Sequence, residues 1–591
     1  MPLEDHGLIG DGNTAALVGR DGTIAWLCAP RFDAPPVFAR LLDSERGGSF
    51  CIAPDKLVGS RQQYDRDTAV LVTRMEGPHG LLELTDACLL RPDADLTRTA
   101  AADRGVLQRT LRVLHGRVRV QMSIDPLGGA SCERMDGGLR LRMHERRELD
   151  LQLASTAPLA GPHTTWDLRE GDEAHVWLRW KSVDDVHPQH AHEQEQLEHT
   201  RRVWRAWMRH VGYQGPHEEL VRRSAITLKL LDYFANGAMI AAPTSSLPEW
   251  IGSARNWDYR YVWVRDAAFS VYALRRIGLV NEASSFLEWV LDEAGHAERP
   301  RVMYSIDGGG VPKEREDERL EGYRRSPPVR WGNDAADQRQ HDVFGEVLDC
   351  AYQWVRHGGE IDEPLWRDLC SLAEGASAEW DQPDHGIWEV RTEGAPYTYS
   401  AALCHVALHR TARIAEIAGL PGPIDRWRAE ADRIRKAILE RAWSPERDAL
   451  TEHLEGGALD ASLLTLPLRR VIHASHPRMV ATTEAIVRHL SAEGEGLLFR
   501  YLPNESPDGV DGEEGAFLLC SFWLVENYAM QGRLDEAHAL FDSLCARANP
   551  LGLLAEQVEP KTGAFLGNFP QAMSHIGVIA SAVRLRRARG E

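Results

Sequence analysis

The sequence predicts a multidomain protein, an all-β sandwich followed by an all-α toroid built from six helical hairpins. Three observations predict it. The 591 residues exceed what one ordinary core organises. Up to about Thr200 the text is written in short alternating runs with turn residues between them. From Pro216 onward it changes to helical apolar spacing, with loops alternately short and long. The expected boundaries are 1–186 for an antiparallel sandwich, 187–215 for a helical linker and 216–591 for the helical toroid.

The strands announce themselves from the start. Asp11, Gly12 and Asn13, then Gly19 to Gly22, are turn signals around AALV and TIAWL. VLVTRME, LLELTDACLL, VLQRTLRVLH, RVRVQMSI, LRLRMHE and HVWLRWK follow, the alternation of a half-buried sheet. A polar piece then carries His187, His190, His192 and His199. No carboxylate or cysteine set at fixed spacing accompanies them, so we read an exposed linker and expect no metal. It leads into the helix EQEQLEHTRRVWRAWMRHV, with Leu197, Val203, Trp204, Trp207 and Met208 turned to its neighbours. Helical spacing then recurs near 217–234, 266–277, 280–295, 338–357, 363–379, 400–418, 425–442, 459–468, 477–491, 513–531, 533–547 and 570–588. No repeat length recurs, which excludes a solenoid. The long loops hold the unusual residues, which puts the site on one face of the toroid.

Composition narrows the function classes. Hydrophobic content of 43% and charged content of 26% are those of a globular protein. A formal net charge of −20 excludes a nucleic-acid partner, because nothing basic offsets phosphate repulsion. The opening MPLEDHGLIG has neither a basic nor an apolar leader segment, and no apolar run reaches the roughly 18 residues of a membrane span. Nine cysteines stand singly, with no C-x-x-C pair. We therefore expect a cytoplasmic protein with reduced thiols, no membrane partner and no cofactor.

One stretch dominates the chemistry, Ser246 to Gly278. Its middle, Arg255 to Asp266, interleaves Trp257, Tyr259, Tyr261 and Trp263 with Asp258, Arg260, Arg265 and Asp266. Buried Arg and Asp are costly unless paired, and a solvated face has no use for four aromatic rings. Flat rings beside bidentate donors and acceptors are what a polyhydroxylated ring such as a sugar requires; the bland alternative is a structural Arg–Asp network at a helix start. Two glutamates stand outside helices. Glu389 follows Trp388 in DHGIWEV, an apolar neighbour of the kind a general acid uses, and Glu556 sits in LLAEQVEP. Either could be an ordinary loop glutamate. Asn568, Gln571, Ser574 and His575 fit a turn, a Pro at a helix start and a satisfied core histidine. Arg330, Trp331 and Asn333 in GYRRSPPVRWGN read as pocket wall.

RNWDYRYVWVRDA, GIWE, GYRRSPPVRWGN, DGEEGAFLLCSFWLVE and AEQVEPKTGAFLGNFPQAMSHIG, taken together, resemble glycoside hydrolase family 15, and IGDGNTAALVGRDGTIAWLCAPRFDAPPVFARLLD is similar to the N-terminal sandwich of its bacterial members. The likeness covers nearly the whole chain. It implies a β-sandwich, a linker and an (α/α)6 toroid, and an exo-acting hydrolase that removes a terminal α-glucosyl unit with inversion. By that resemblance Glu389 is the general acid, Glu556 the general base, and Arg265 with Asp266 holds the hydroxyls of the terminal glucose. Trp257, Tyr261, Trp388 and Arg500 would complete the sugar pocket. The chemistry is consistent, since an inverting enzyme keeps its carboxyl groups roughly 6.5–9.5 Å apart to admit a water.

The sequence departs from the family's pattern at Tyr397 to Val406, where a Lys and a Trp are usual, and at Trp331 and His341. The leading expectation is a glucoamylase-like enzyme releasing β-glucose from the non-reducing end of α-glucans or α-glucosides. The alternatives are a trehalase of the same family, a disaccharide phosphorylase and a non-catalytic carbohydrate-binding protein. A second glutamate in AEQVEP favours hydrolysis over phosphorolysis, and the oligomeric state is left open.

Overall fold

The computed structural model describes residues 1–182, 193–297, 299–492 and 496–589. His187, His190 and His192 of the expected linker lie outside them. The chain divides into an N-terminal antiparallel β-sheet domain and a C-terminal helical domain.

The sheet domain is organised by one long strand, Asp103–Asp125. Its second half buries Val118, Val120, Met122 and Ile124 while Arg117, Arg119 and Gln121 face out, the period-two alternation of a half-buried strand. This half is flanked by Ser49–Pro54 and His163–Arg169, and the first half by Gly80–Leu90 and Glu173–Ser182. The strand thus belongs to both halves of a 14-stranded antiparallel assembly. Where the halves meet, fully buried Arg109 donates to Asp86 at 2.7 Å, to the Phe50 carbonyl at 2.8 Å and to the Gly22 carbonyl at 2.7 Å. A buried guanidinium is tolerable only when its donors are used this completely.

The helices are α1 (Glu193–Met208), α2 (Glu218–Leu231), α3 (Val264–Arg276), α4 (Val280–Glu293), α5 (Asp342–Arg356), α6 (Glu363–Glu379), α7 (Thr398–Ala418), α8 (Ile424–Arg441), α9 (Thr465–Leu468), α10 (Pro477–Leu490), α11 (Leu518–Met530), α12 (Leu534–Cys545) and α13 (Ala572–Ala588). Three expected starts move. The stretch expected as a helix at 459–468 is a 3-10 turn, Ala461–Leu464, followed by the four residues of α9. Residues 338–341 are not helical, because Asp334–Asp337 already forms a separate 3-10 turn capped by Asn333. Residues 513–517 are also non-helical: Ala516 and Phe517 pair instead with Val558 and Gln557. That pairing carries the chain into the strand beside Glu556.

Neighbouring helices pack in pairs, α3 with α4, α5 with α6, α7 with α8, α11 with α12 and α13 with α2. A second succession runs from α3 to α5 to α7, through the 3-10 turn Ala461–Leu464 before α9, to α11, to α13 and back to α3. Among the described residues no helix is long and apolar enough to cross a membrane, and all nine cysteines are free thiols.

The two domains interlock. Trp26 of the sheet domain donates its indole N–H to the Pro243 carbonyl at 2.7 Å and stacks on Trp331. Arg260 reaches back to the Ala34 carbonyl at 2.6 Å, and Asn549 donates to the carbonyls of Glu4 and His6.

Candidate active site

A cleft opens where the N-terminal ends of α3, α11 and α13 converge. It is lined by Glu249, Trp257, Tyr259, Trp263, Arg265, Asp266, Trp388, Glu389, Arg500 and Glu556, among others. Residues more than 300 positions apart therefore share one wall.

Glu389 stands in the loop between α6 and α7 with a left-handed backbone, φ 61°. Such a conformation costs a non-glycine residue about 1–2 kcal/mol and persists only where surrounding contacts impose it. Those contacts are present. Trp263 donates its indole N–H to Glu389 Oε1 at 2.6 Å, Arg265 approaches the same oxygen at 3.2 Å, and Gln338 donates to the Glu389 carbonyl at 3.2 Å. The indole that touches this carboxylate is Trp263 and not its neighbour in sequence: Trp388 turns away to pack against Phe517 and Trp523 and donates to Asp460 at 3.0 Å.

Glu556 precedes the strand Gln557–Val558, which is held between Ala516–Phe517 and Phe565–Leu566. Its side chain is buried. Tyr259 donates to Oε1 at 2.6 Å, while Oε2 has no protein donor among the described residues. Burial first, then the charge of Glu249, pushes this carboxyl up to about 8. Glu249 is itself raised to about 7 by burial. It is bound by Arg500 at 2.8 Å, and Arg500 also pairs with Glu514. Gly567 follows the returning strand with φ 70°, and a Cβ there would lie 2.3 Å from Glu556 Oε2.

Arg265 and Asp266 open α3 side by side, 3.3 Å between Nε and Oδ1, and Arg265 also donates to the Ile387 carbonyl at 2.7 Å. The guanidinium thus bridges the first turn of α3, which carries Asp266, and the loop that carries Glu389. Burial raises the Asp266 carboxyl above its ordinary value although Arg265 opposes the shift. The guanidinium groups of Arg330 and Arg391, both paired with Glu314, each lie 4.8 Å from the Trp257 ring and hold it in place beside the cleft.

The structure thus brings Trp257, Arg265, Asp266, Trp388, Glu389, Arg500 and Glu556 together. It does not bring in Asp258 or Tyr261. Asp258 is fully buried behind the wall, bidentate with Arg260 at 2.7 and 2.9 Å. Tyr261 packs with Ala241, Trp263, Val302, Met303 and Ala335. Trp331, expected in the pocket wall, instead stacks on Trp26. His575 is a satisfied core histidine, between Ser224 Oγ at 2.9 Å and the Leu554 N–H at 3.2 Å. Sequence reasoning named the rings of Tyr259 and Trp263 but assigned them no contact in the pocket, and it passed over Glu249; all three lie within the stretch it singled out.

Two carboxyl groups on separate loops, one held by an ion pair and one buried, in a cleft walled by indoles and an Arg–Asp pair, define the class as O-glycosyl hydrolase. The model of glycosyl hydrolases family 15 matches residues 215–583, and a model described as trehalase-like, N-terminal, matches residues 1–128. The chain belongs to glycosyl hydrolases family 15. It is similar to the trehalase of Mycolicibacterium smegmatis, with 36% identity covering 100% of this chain and 92% of the relative. The likeness to the trehalase of Thermoplasma acidophilum is 34%, covering 97% and 98%. Among solved structures, a bacterial glucoamylase complexed with acarbose has the same fold at TM-score 0.74 and 15% identity, over 100% of this chain and 94% of that one.

Proposed function

We propose that this protein is a trehalase, hydrolysing α,α-trehalose with inversion at one anomeric carbon. The observation that carries the choice over a glucoamylase is the full-length likeness to trehalases, sheet domain included. The glucoamylase likeness is one of fold. The reading takes the helical domain as an (α/α)6 toroid and keeps the boundaries 1–186, 187–215 and 216–591. The pairing of α3 to α13 described above supports the toroid, and nine free thiols support a cytoplasmic setting.

In the mechanism, Arg265 and Asp266 hold hydroxyls of the glucosyl ring undergoing attack. Glu389 gives its proton to the interglycosidic oxygen as the C1–O bond breaks. Glu556 takes a proton from the attacking water. Tyr259 donates to Oε1 of that carboxyl and so holds it in place. A buried base has a raised proton affinity, which makes it a strong proton acceptor once ionised and sets a lower pH limit on its use.

Trehalose gives a distinctive product test. Attack from the far face gives one β-glucose, and the departing glucose keeps its α configuration. Anomer-resolved NMR of early turnover should find equal α- and β-glucose from trehalose. Rapid release of β-glucose from maltotriose, with trehalose untouched, would replace this reading with a glucoamylase. α-Glucose alone from trehalose would mean retention and would remove the assigned roles.

A further inference from the structure

A second cavity, about 550 Å³, lies at the opposite end of the helical domain, where α3, α5 and α13 finish. That volume is within the usual range of small-molecule sites. Eight arginines line it. Three have carboxylate partners: Arg410 pairs with Asp349 at 2.5 Å, Arg469 with Glu346 at 2.6 Å and Asp349 at 3.1 Å, and Arg584 with Glu526 at 3.0 Å. The other five, Arg275, Arg276, Arg356, Arg470 and Arg587, have no carboxylate in ion-pair range among the described residues.

The ordinary explanation for such residues is helix ends. Arg275 and Arg276 close α3, Arg356 closes α5 and Arg587 closes α13, and each helix terminus offers about half a negative charge. Three termini leave most of five cations uncompensated. Arg470 lies outside any helix, with φ 64°. Arg276 is the clearest excess. Its Nη1 is buried without a hydrogen-bond partner, and burial together with Arg587, Arg584 and Arg470 lowers its proton affinity to about 9. In a chain of net charge −20, a pocket with this surplus of cations is organised against the protein's own average.

We propose that this cavity is a binding site for a multiply charged phosphate anion, one carrying two or more phosphate groups. Guanidinium forks match phosphate oxygens two at a time, and several converging forks need more than one phosphate to satisfy them. An inorganic polyphosphate and a nucleoside triphosphate share that chemistry. The site is separate from the sugar cleft. Phe269 stands between them, lining the cleft on one side and the cavity on the other, where Arg469 lies 3.7 Å from its ring.

The test is titration of the full chain with tripolyphosphate, orthophosphate, ATP and chloride at matched ionic strength, followed by calorimetry. Saturable one-to-one binding of tripolyphosphate, tighter than orthophosphate, is expected. ATP binding equal to or tighter than tripolyphosphate assigns the site to nucleotides; weaker ATP binding assigns it to the inorganic anion. Arg276→Gln should weaken binding about tenfold or more, the worth of a charged hydrogen-bonded contact. The double variant Arg470→Gln/Arg587→Gln, at exposed positions, should weaken it likewise and leave sugar hydrolysis without the anion unchanged. Asp266→Ala in the cleft should leave anion affinity alone. No saturable binding, an equal response to chloride, or affinity that survives both arginine variants overturns the proposal.

Discussion

Gly567→Ala tests the placement of Glu556 with a single methyl group. The backbone there is left-handed, φ 70°, and the added Cβ would sit 2.3 Å from Glu556 Oε2 and 2.9 Å from Glu556 Cβ. Two effects follow, and a neighbour separates them. An L side chain at this φ costs about 1–2 kcal/mol. The collision is a different matter: carbon and oxygen rest near 3.5 Å, so the carboxylate must retreat by about 1 Å. A displacement of that size at a reacting group costs about 10²-fold in rate. Gly563, in the same hairpin, has φ 72° and open space where its Cβ would go. Gly563→Ala should therefore lose stability to a similar degree in urea unfolding and keep kcat. Gly567→Ala should lose both. Steady-state kinetics on trehalose reads the difference. If kcat of Gly567→Ala stays at the wild-type value, Glu556 is not acting from the position described. An equal fall in Gly563→Ala would mean that strain in the hairpin, and not the carboxylate, is responsible.

Glu389→Gln should keep the fold, since an amide oxygen still accepts from Trp263, and slow hydrolysis by about 10²–10⁴-fold; full activity would remove Glu389 from the mechanism. Asp266→Ala should raise KM and lower kcat together in initial-rate measurements, because contacts to the glucosyl ring tighten as it distorts; unchanged kinetics would make the Arg265–Asp266 pair structural. Glu249→Gln removes a like charge from beside Glu556 while Glu514 still compensates Arg500. The proposed base, Glu556, is raised to about 8 and would have to work ionised, so the acid limb of kcat/KM should move to lower pH, and a limb that stays put would refute the coupling. The folded chain holds this proton above the ordinary 4.5 and the unfolded chain does not, so the group's contribution to stability declines as pH rises from there toward 8. Glu249→Gln should flatten that decline in urea titrations across the same range.

Much of this was legible in the residues. The helix spacing placed α6 at its observed bounds and most other helices within a few residues, and both glutamates stood out as loop residues. What the sequence left open was which side of the wall each residue faces. Asn256–Asp258 is a strand, so its neighbours alternate: Trp257 and Tyr259 turn to the cleft, while Asp258 and Arg260 turn to the sheet domain. That parity is a readable signal, and it would have exchanged Asp258 for Tyr259. The same parity would have kept Tyr261 at the cleft, whereas beyond the end of the strand it packs against Trp263, Val302 and Met303. Glu249 carried no local signal at all. Its importance comes from Arg500 and Glu556, more than 250 residues away, and only the folded chain brings them together.

Arg260 has a wider consequence. It lies five residues before Arg265, and its guanidinium is bound on one side to Asp258 and on the other to the Ala34 carbonyl of the sheet domain. With Trp26 on the Pro243 carbonyl and Asn549 on the first strand, the sheet domain is bolted to the reverse side of the catalytic wall. The two halves should therefore melt as one unit in calorimetry, and two resolved transitions would refute that coupling. Residues 216–591 expressed alone would expose the Trp331 face and leave Arg260 short of an acceptor, a fragment that gathers into aggregates before it can turn over sugar.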